Sequence, residues 1–171
     1  MTRARPLMGE PLALDLVNTA WVEQDAWVDF FDDPGGTEAW LAEHGLPGDA
    51  DQAREPLVAA RDALRAALGG SEDQLDAVLD HGSRRPRLRK ARPYEETVVD
   101  HPSWHAAWVA AADLVRLMGE RPERIRKCAN PACVLWFYDT SKNGSRRWCS
   151  METCGNRAKS SRFQERHKPS G

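Results

Sequence analysis

Two long stretches of the chain carry apolar residues at helical spacing, and several short ones carry them at spacing that is less decisive. In AREPLVAARDALRAALGG, the residues Leu57, Ala60, Leu64, Ala67 and Leu68 fall on one side of a 3.6-residue period, which predicts an amphipathic helix. Pro56 fits its first turn, where a missing N–H costs little, and Gly69–Gly70 ends it. HPSWHAAWVAAADLVRLMGE repeats Trp104, Trp108, Ala111, Val115 and Met118 at the same spacing, which predicts a second helix with this stripe in the core. Two shorter helices are expected. TEAWLAEHGLP has Thr37 as N-cap and Gly45 and Pro47 as stops. In SEDQLDAVLDHG, Ser71 and Gln74 fit a capping box ahead of Leu75, Val78 and Leu79. PLALDLVNTAW fits either a short strand or a helix start, and periodicity does not decide between them. SRRPRLRKARPYEETVVD is basic and then β-prone, and predicts a short hairpin.

These elements place a mainly helical domain with a short β-hairpin over residues 1–120 and a separate small domain over 121–171. A length of 171 residues allows that arrangement. The longest apolar runs fall well short of the roughly 20 residues that span a bilayer. Glu10 and Asp15 interrupt any apolar leader, so the expectation is a cytoplasmic protein with reduced thiols. Net charge changes the picture more. Residues 121–171 hold 12 Lys/Arg against 4 Asp/Glu, while residues 1–120 hold 12 against 22. A basic tail on an acidic body suits contact with nucleic acid, or simple attraction between the two parts.

The tail also holds all four cysteines: Cys128, Cys133, Cys149 and Cys154, as two C-x4-C pairs around a hairpin-length spacer. Two close pairs brought together by a turn suit a tetrahedral Zn²⁺. The segments VLWFYD and SRRWC are expected to pair as strands around Asn143–Gly144. Ser150 is expected to cap a helix whose first turn carries Cys154. A knuckle, a hairpin and a helix form a treble-clef-like finger. With every ligand position filled by Cys, no site is left for water, so the one zinc is structural rather than catalytic.

RKCANPACVLWFYDTSKNGSRRWCSMETCGNRAK resembles the CGNR zinc finger, named for the residues that here are Cys154, Gly155, Asn156 and Arg157. Phe137, Asp139 and Ser141 and the stretch RRWCS match it as well. LALDLVNT resembles the start of the ABATE domain that accompanies this finger in bacteria. The resemblance implies a mainly helical N-terminal domain and a stress-related transcription regulator.

The arginines divide by position. Arg157 lies three residues past Cys154, on roughly the same helix face, and is expected to bond a sulfur, a backbone carbonyl or Asp139. Lys159, Arg162 and Arg166 fall within about 60° of one another on a helical wheel, away from Cys154. With Arg146 and Arg147 they form a candidate phosphate-tracking surface for nucleic acid, most simply DNA. Trp136, Trp148 and Phe163 are expected to pack around the metal. His101 and His105 stand four apart, but Pro102 places His101 at the helix start, so a second metal site is not expected. Asp15 and Asn18 either bridge elements of the helical domain or line a small-molecule pocket; bridging is the commoner role for such residues.

No catalytic motif is present, so an enzyme is not expected. The leading reading is a DNA-binding regulator whose N-terminal domain dimerises or senses a small-molecule or protein effector. The alternative is a redox-sensing or protein-interaction module whose zinc thiolates oxidise.

Overall fold

The structure, a computed structural model, describes residues 3–156. Its elements are helices and short antiparallel strand pairs. Helix α1 (Leu12–Val17) leads into the hairpin β1 (Ala20–Glu23) and β2 (Ala26–Asp29). Helices α2 (Gly36–Glu43), α3 (Ala50–Leu68) and α4 (Asp73–Leu79) follow. A longer hairpin, β3 (Gly82–Arg89) and β4 (Arg92–Val99), precedes α5 (His105–Glu120). Strands β5 (Ile125–Lys127) and β6 (Trp136–Tyr138) pair beyond it, and a wide helical turn, Met151–Gly155, ends the described residues.

The ambiguous LALDLV segment is helical because it is enclosed on every side. Ala13, Leu14, Asp15, Leu16 and Val17 are all buried against α3 and α5. Asp113 of α5 accepts from the Ala13 N–H at 3.0 Å, which satisfies a donor that Pro11 cannot cap. Two arginines of α3 then brace the β1–β2 hairpin. Arg61 grips both carboxylate oxygens of Asp29, and Arg65 donates to the Val17 and Ala20 carbonyls at 2.7 Å each. The charge of Arg65 is expensive in this setting, and burial pulls its pKa down to about 10.

Several local expectations shift. Thr37 does not cap α2: the helix begins at Gly36, and Thr37 is buried inside it. A Cβ on Gly36 would stand 2.0 Å from the Phe30 carbonyl oxygen, so only glycine lets the chain turn there. Asp49 caps α3 through the Gln52 N–H at 3.0 Å, and the helix therefore starts early enough to put Pro56 in its interior. Glu72, not Ser71, precedes α4, and no side chain caps it, so the capping box does not form. On α5 the buried face is Ala106, Ala107, Trp108, Ala110, Ala111, Leu114 and Leu117. Of the expected stripe, Trp108 and Ala111 lie in this face and Trp104 and Met118 pack against the core, while Val115 is 48% exposed. The N-terminal part carries two hairpins rather than one. Both turn through a pair of non-glycine residues at positive φ, Gln24–Asp25 and Lys90–Ala91, the geometry of a tight two-residue β-turn.

Candidate metal centre

Strands β5 and β6 flank the first cysteine loop. The Cys128 N–H donates to the Leu135 carbonyl at 2.9 Å, so the loop closes on itself. Asn130 shapes its inside: its side chain accepts from the Ala132 N–H at 3.1 Å, and its carbonyl accepts from the Cys133 N–H at 2.9 Å. The second pair sits at the helical turn. Ser150 accepts from the Glu152 N–H at 3.2 Å, and the Gly155 N–H reaches back to the Ser150 carbonyl at 2.9 Å. Four sulfurs converge as a result. All lie within 4.8 Å of one another, with Cys133 to Cys149 at 3.8 Å and Cys149 to Cys154 at 3.6 Å. Four sulfurs about 2.3 Å from one tetrahedral ion stand about 3.8 Å apart, so the residues fit one Zn²⁺ with no open position.

Two donors already point at the sulfurs. Asn130 Nδ2 is 3.3 Å from Cys154 Sγ, and the Cys149 N–H is 3.4 Å from Cys128 Sγ. Such donors spread the negative charge of a tetrathiolate centre. Crowding also separates the thiols. A hydrogen bond from Cys149 pulls the Cys133 thiol down to about 5, while that same bond together with burial pushes Cys149 up. Burial raises Cys128. A dication at the centre is what allows all four to be thiolates together.

The spacer differs from expectation. β6 pairs with β5, not with residues 145–149. Asp139 is the reason. It is fully enclosed and its carboxylate accepts from the Ser141 and Arg146 N–H groups at 2.9 and 3.0 Å, which gathers residues 139–146 into a compact loop. The Ser141 contact leads in holding its pKa low. Gly144, at φ +60°, completes the turn.

Arg146 is turned inward. It donates to the Trp148 and Cys149 carbonyls at 3.0 and 2.6 Å, with its guanidinium 4.2 Å from the Phe137 ring centre. Its neighbour Arg147 is exposed and lies over Trp148 at 5.3 Å. The Trp136, Trp148 and Phe137 side chains pack against the core beside the cysteines. Arg157, Lys159, Arg162, Phe163 and Arg166 lie outside the described residues.

Asp15 and Asn18 are both fully buried. Asp15 Oδ1 receives Arg5, Trp40 Nε1 at 2.8 Å and His44 Nε2 at 3.0 Å, and Arg5 reaches on to Glu43. Burial works to raise the Asp15 carboxyl, but the His44 and Arg5 contacts outweigh it and hold it below the ordinary range. Asn18 faces the metal-binding part. Its Nδ2 donates to the Trp136 carbonyl at 2.8 Å, and its Oδ1 accepts from the Trp136 N–H at 3.0 Å, so one side chain stands in for a neighbouring strand. Glu10 adds a second tie by accepting from the Tyr138 N–H at 2.7 Å. Arg5, His44, Glu10 and Asn130 carried no sequence signal, since each acts across a long separation or through backbone geometry. His101 caps the turn before α5 through the Ser103 N–H at 3.3 Å and shares no metal cluster with His105 among the described residues.

A body of helices and short antiparallel hairpins joined to a four-cysteine metal centre defines a protein with a C-terminal zinc finger. Comparison with known families matches residues 124–167 to the CGNR zinc finger. Residues 10–121 match ABATE, described as a "putative stress-induced transcription regulator". The chain belongs to the ABATE family and carries a C-terminal CGNR zinc finger. Comparison with curated proteins gives no match.

Proposed function

We propose that the protein is a DNA-binding transcription regulator. Its zinc, held by Cys128, Cys133, Cys149 and Cys154, fixes a treble-clef-like platform and takes no part in chemistry. The observation that carries this reading is the charge division, with 12 Lys/Arg against 4 Asp/Glu in residues 121–171 on a body of opposite sign. The phosphate contacts fall to Arg147, Lys159, Arg162 and Arg166. Arg146 is committed to the Trp148 and Cys149 carbonyls and serves the fold of the finger instead. The N-terminal domain senses an effector or dimerises, acts without catalysis, and works in the cytoplasm. No helix among the described residues is long and apolar enough to cross a membrane.

The test is fluorescence anisotropy of the zinc-loaded full chain with random-sequence duplex DNA and duplex RNA across a salt series. Binding that weakens steeply with salt is expected. Replacing Arg147, Lys159, Arg162 and Arg166 by Ala should lower the salt slope by about 0.9 per lost contact. No binding at low salt overturns the reading.

One observation favours a second reading, a zinc-thiolate redox sensor. Cys133 is half-buried, and with Cys149 and Cys154 it lines a cavity of about 300 Å³ beside Trp21 and Val22. Small oxidants therefore have a route to the sulfurs. Zinc release under mild peroxide, followed with a chromogenic chelator, separates the two readings.

A further inference from the structure

The β3–β4 hairpin is a basic arm on an acidic body. Residues 82–99 hold six cations, Arg84, Arg85, Arg87, Arg89, Lys90 and Arg92, against Glu95 and Glu96. That is half of all the Lys/Arg in residues 1–120, whose balance is otherwise strongly acidic. The strands pair over eight residues each, Gly82 with Val99 through Arg89 with Arg92, which makes a ribbon about 27 Å long. Almost all of β3 and the tip half of β4 are exposed, and Leu88 is 75% exposed. Exposure on this scale has no role in a monomer's core.

The arm is rooted firmly. Trp108 donates to the Leu79 carbonyl at 2.9 Å, and its ring fills the space where a Gly82 Cβ would sit, at 2.8 Å. His81 bonds Asp100 at 2.8 Å and stacks on Trp104 at 3.6 Å. Beyond this root, alternation and register sort the side chains. Arg85, Arg87, Arg89 and Arg92 share one face, through the pairs Arg85 with Glu96, Arg87 with Tyr94 and Arg89 with Arg92. Glu96 bonds Arg87 at 2.8 Å, and Arg89 lies over Tyr94 at 5.0 Å. Arg85, Lys90 and Arg92 form no ion pair among the described residues.

The edges of the ribbon narrow the choice of partner. Counted from the two-residue turn, Leu88 with Pro93 and Pro86 with Glu95 are the non-hydrogen-bonded pairs. Both prolines therefore remove an N–H from an outer edge, one on each strand. Neither edge can readily template another strand, which disfavours β-sheet addition by a protein partner. A two-stranded ribbon with an arginine face does match the width and charge of the B-DNA major groove, whereas the deep, narrow major groove of duplex RNA excludes it.

We infer that the β3–β4 arm is a second DNA-contacting element, with Arg85, Arg87, Arg89 and Arg92 directed to the phosphates and groove of duplex DNA. This rests on the DNA-binding reading above. It adds a contact from the ABATE domain itself, remote in sequence from the finger.

The test uses the zinc-loaded full chain and random-sequence duplexes of DNA and of RNA. Arg85, Arg87, Arg89 and Arg92 are changed together to Ala, and in a second variant together to Lys. All four are exposed, so helical circular dichroism and zinc content should be unchanged. The alanine variant should lose about 3 to 4 from the DNA salt slope, at about 0.9 per phosphate contact, while the lysine variant retains it. On duplex RNA the alanine change should be much smaller. If wild type binds DNA and the alanine variant keeps its slope, the arm is not a contact, although the finger reading stands. If wild type binds no DNA at low salt, both fail. Equal losses on DNA and RNA, or the collapse of a dimer in sedimentation of the alanine variant, also overturn the inference.

Discussion

In the part of the molecule before residue 121, Leu14, Leu16, Leu57, Leu64, Leu114 and Trp40 are fully enclosed in one core. In residues 124–156 the only comparably enclosed apolar side chain is Phe137, and the other buried residues are Leu135, Gly155, three of the cysteines and the charged Asp139. The first region has enough apolar surface to fold around; the second does not, and depends on sulfur meeting metal. Fully burying a leucine contributes about 2 kcal/mol, so the handful available near the cysteines cannot match the order of 10 kcal/mol that a structural zinc supplies.

The sharpest way to break this comparison is to remove the metal. Cys133→Ser, or a strong chelator, should unfold residues 124–156 while α5 persists. Limited proteolysis should then cut within the finger and spare the body, and helical circular dichroism should fall only slightly. A finger that stays protease-resistant without zinc would show that Phe137 and its neighbours suffice.

A smaller effect tests the body alone. Asp15 is the buried anion that pairs with Arg5, and its folded pKa lies below the unfolded value of about 3.9. A carboxylate shifted in this direction stabilises fully above about pH 5, and that contribution is lost as pH falls through the lower, folded value. Asp15→Asn leaves Arg5 with Glu43 as its one carboxylate partner and should cost about 3 kcal/mol at pH 7. The gap to wild type should shrink below pH 4. Urea melts of chelator-treated protein, followed by helical circular dichroism, would measure this without zinc release entering. A gap that stays constant down to pH 3 would remove Asp15 as the acid-sensitive group.

The smallest of the three probes the joint. Asn18→Ala strands the Trp136 N–H and carbonyl and should cost about 2 kcal/mol. It should also weaken zinc affinity, read by competition with a chelator of known affinity. Unchanged zinc affinity would mean that the two regions fold independently.

The long helices and the metal ligands were legible in the sequence because each is written in local spacing. Leu57 to Ala67 repeat with the helical period, and the cysteines stand in close pairs. What was hidden depends on contacts across the chain. The capping box at Ser71 looked sound, but the Ser71 N–H is spent on the Ala66 carbonyl at 2.9 Å, closing the end of α3. The strand partner of β6 is not legible locally, because Asp139 captures the backbone that would otherwise pair with it. Arg146 and Arg147 read alike as neighbours in a basic run, and only the tertiary structure separates a half-buried clamp from an exposed cation. The hairpin β1–β2 gave no signal at all, having no Asn–Gly or Asp–Gly turn.

The Asn18 contact makes the two regions a linked system. Any ion that binds only the ordered finger also stabilises whatever holds Asn18 in place, by mass action. Reciprocity then requires that any change tightening the surroundings of α1 through this contact raise zinc affinity by the same factor. Metal occupancy and the order of α1 become two readings of one equilibrium, joined through Asn18 and Glu10.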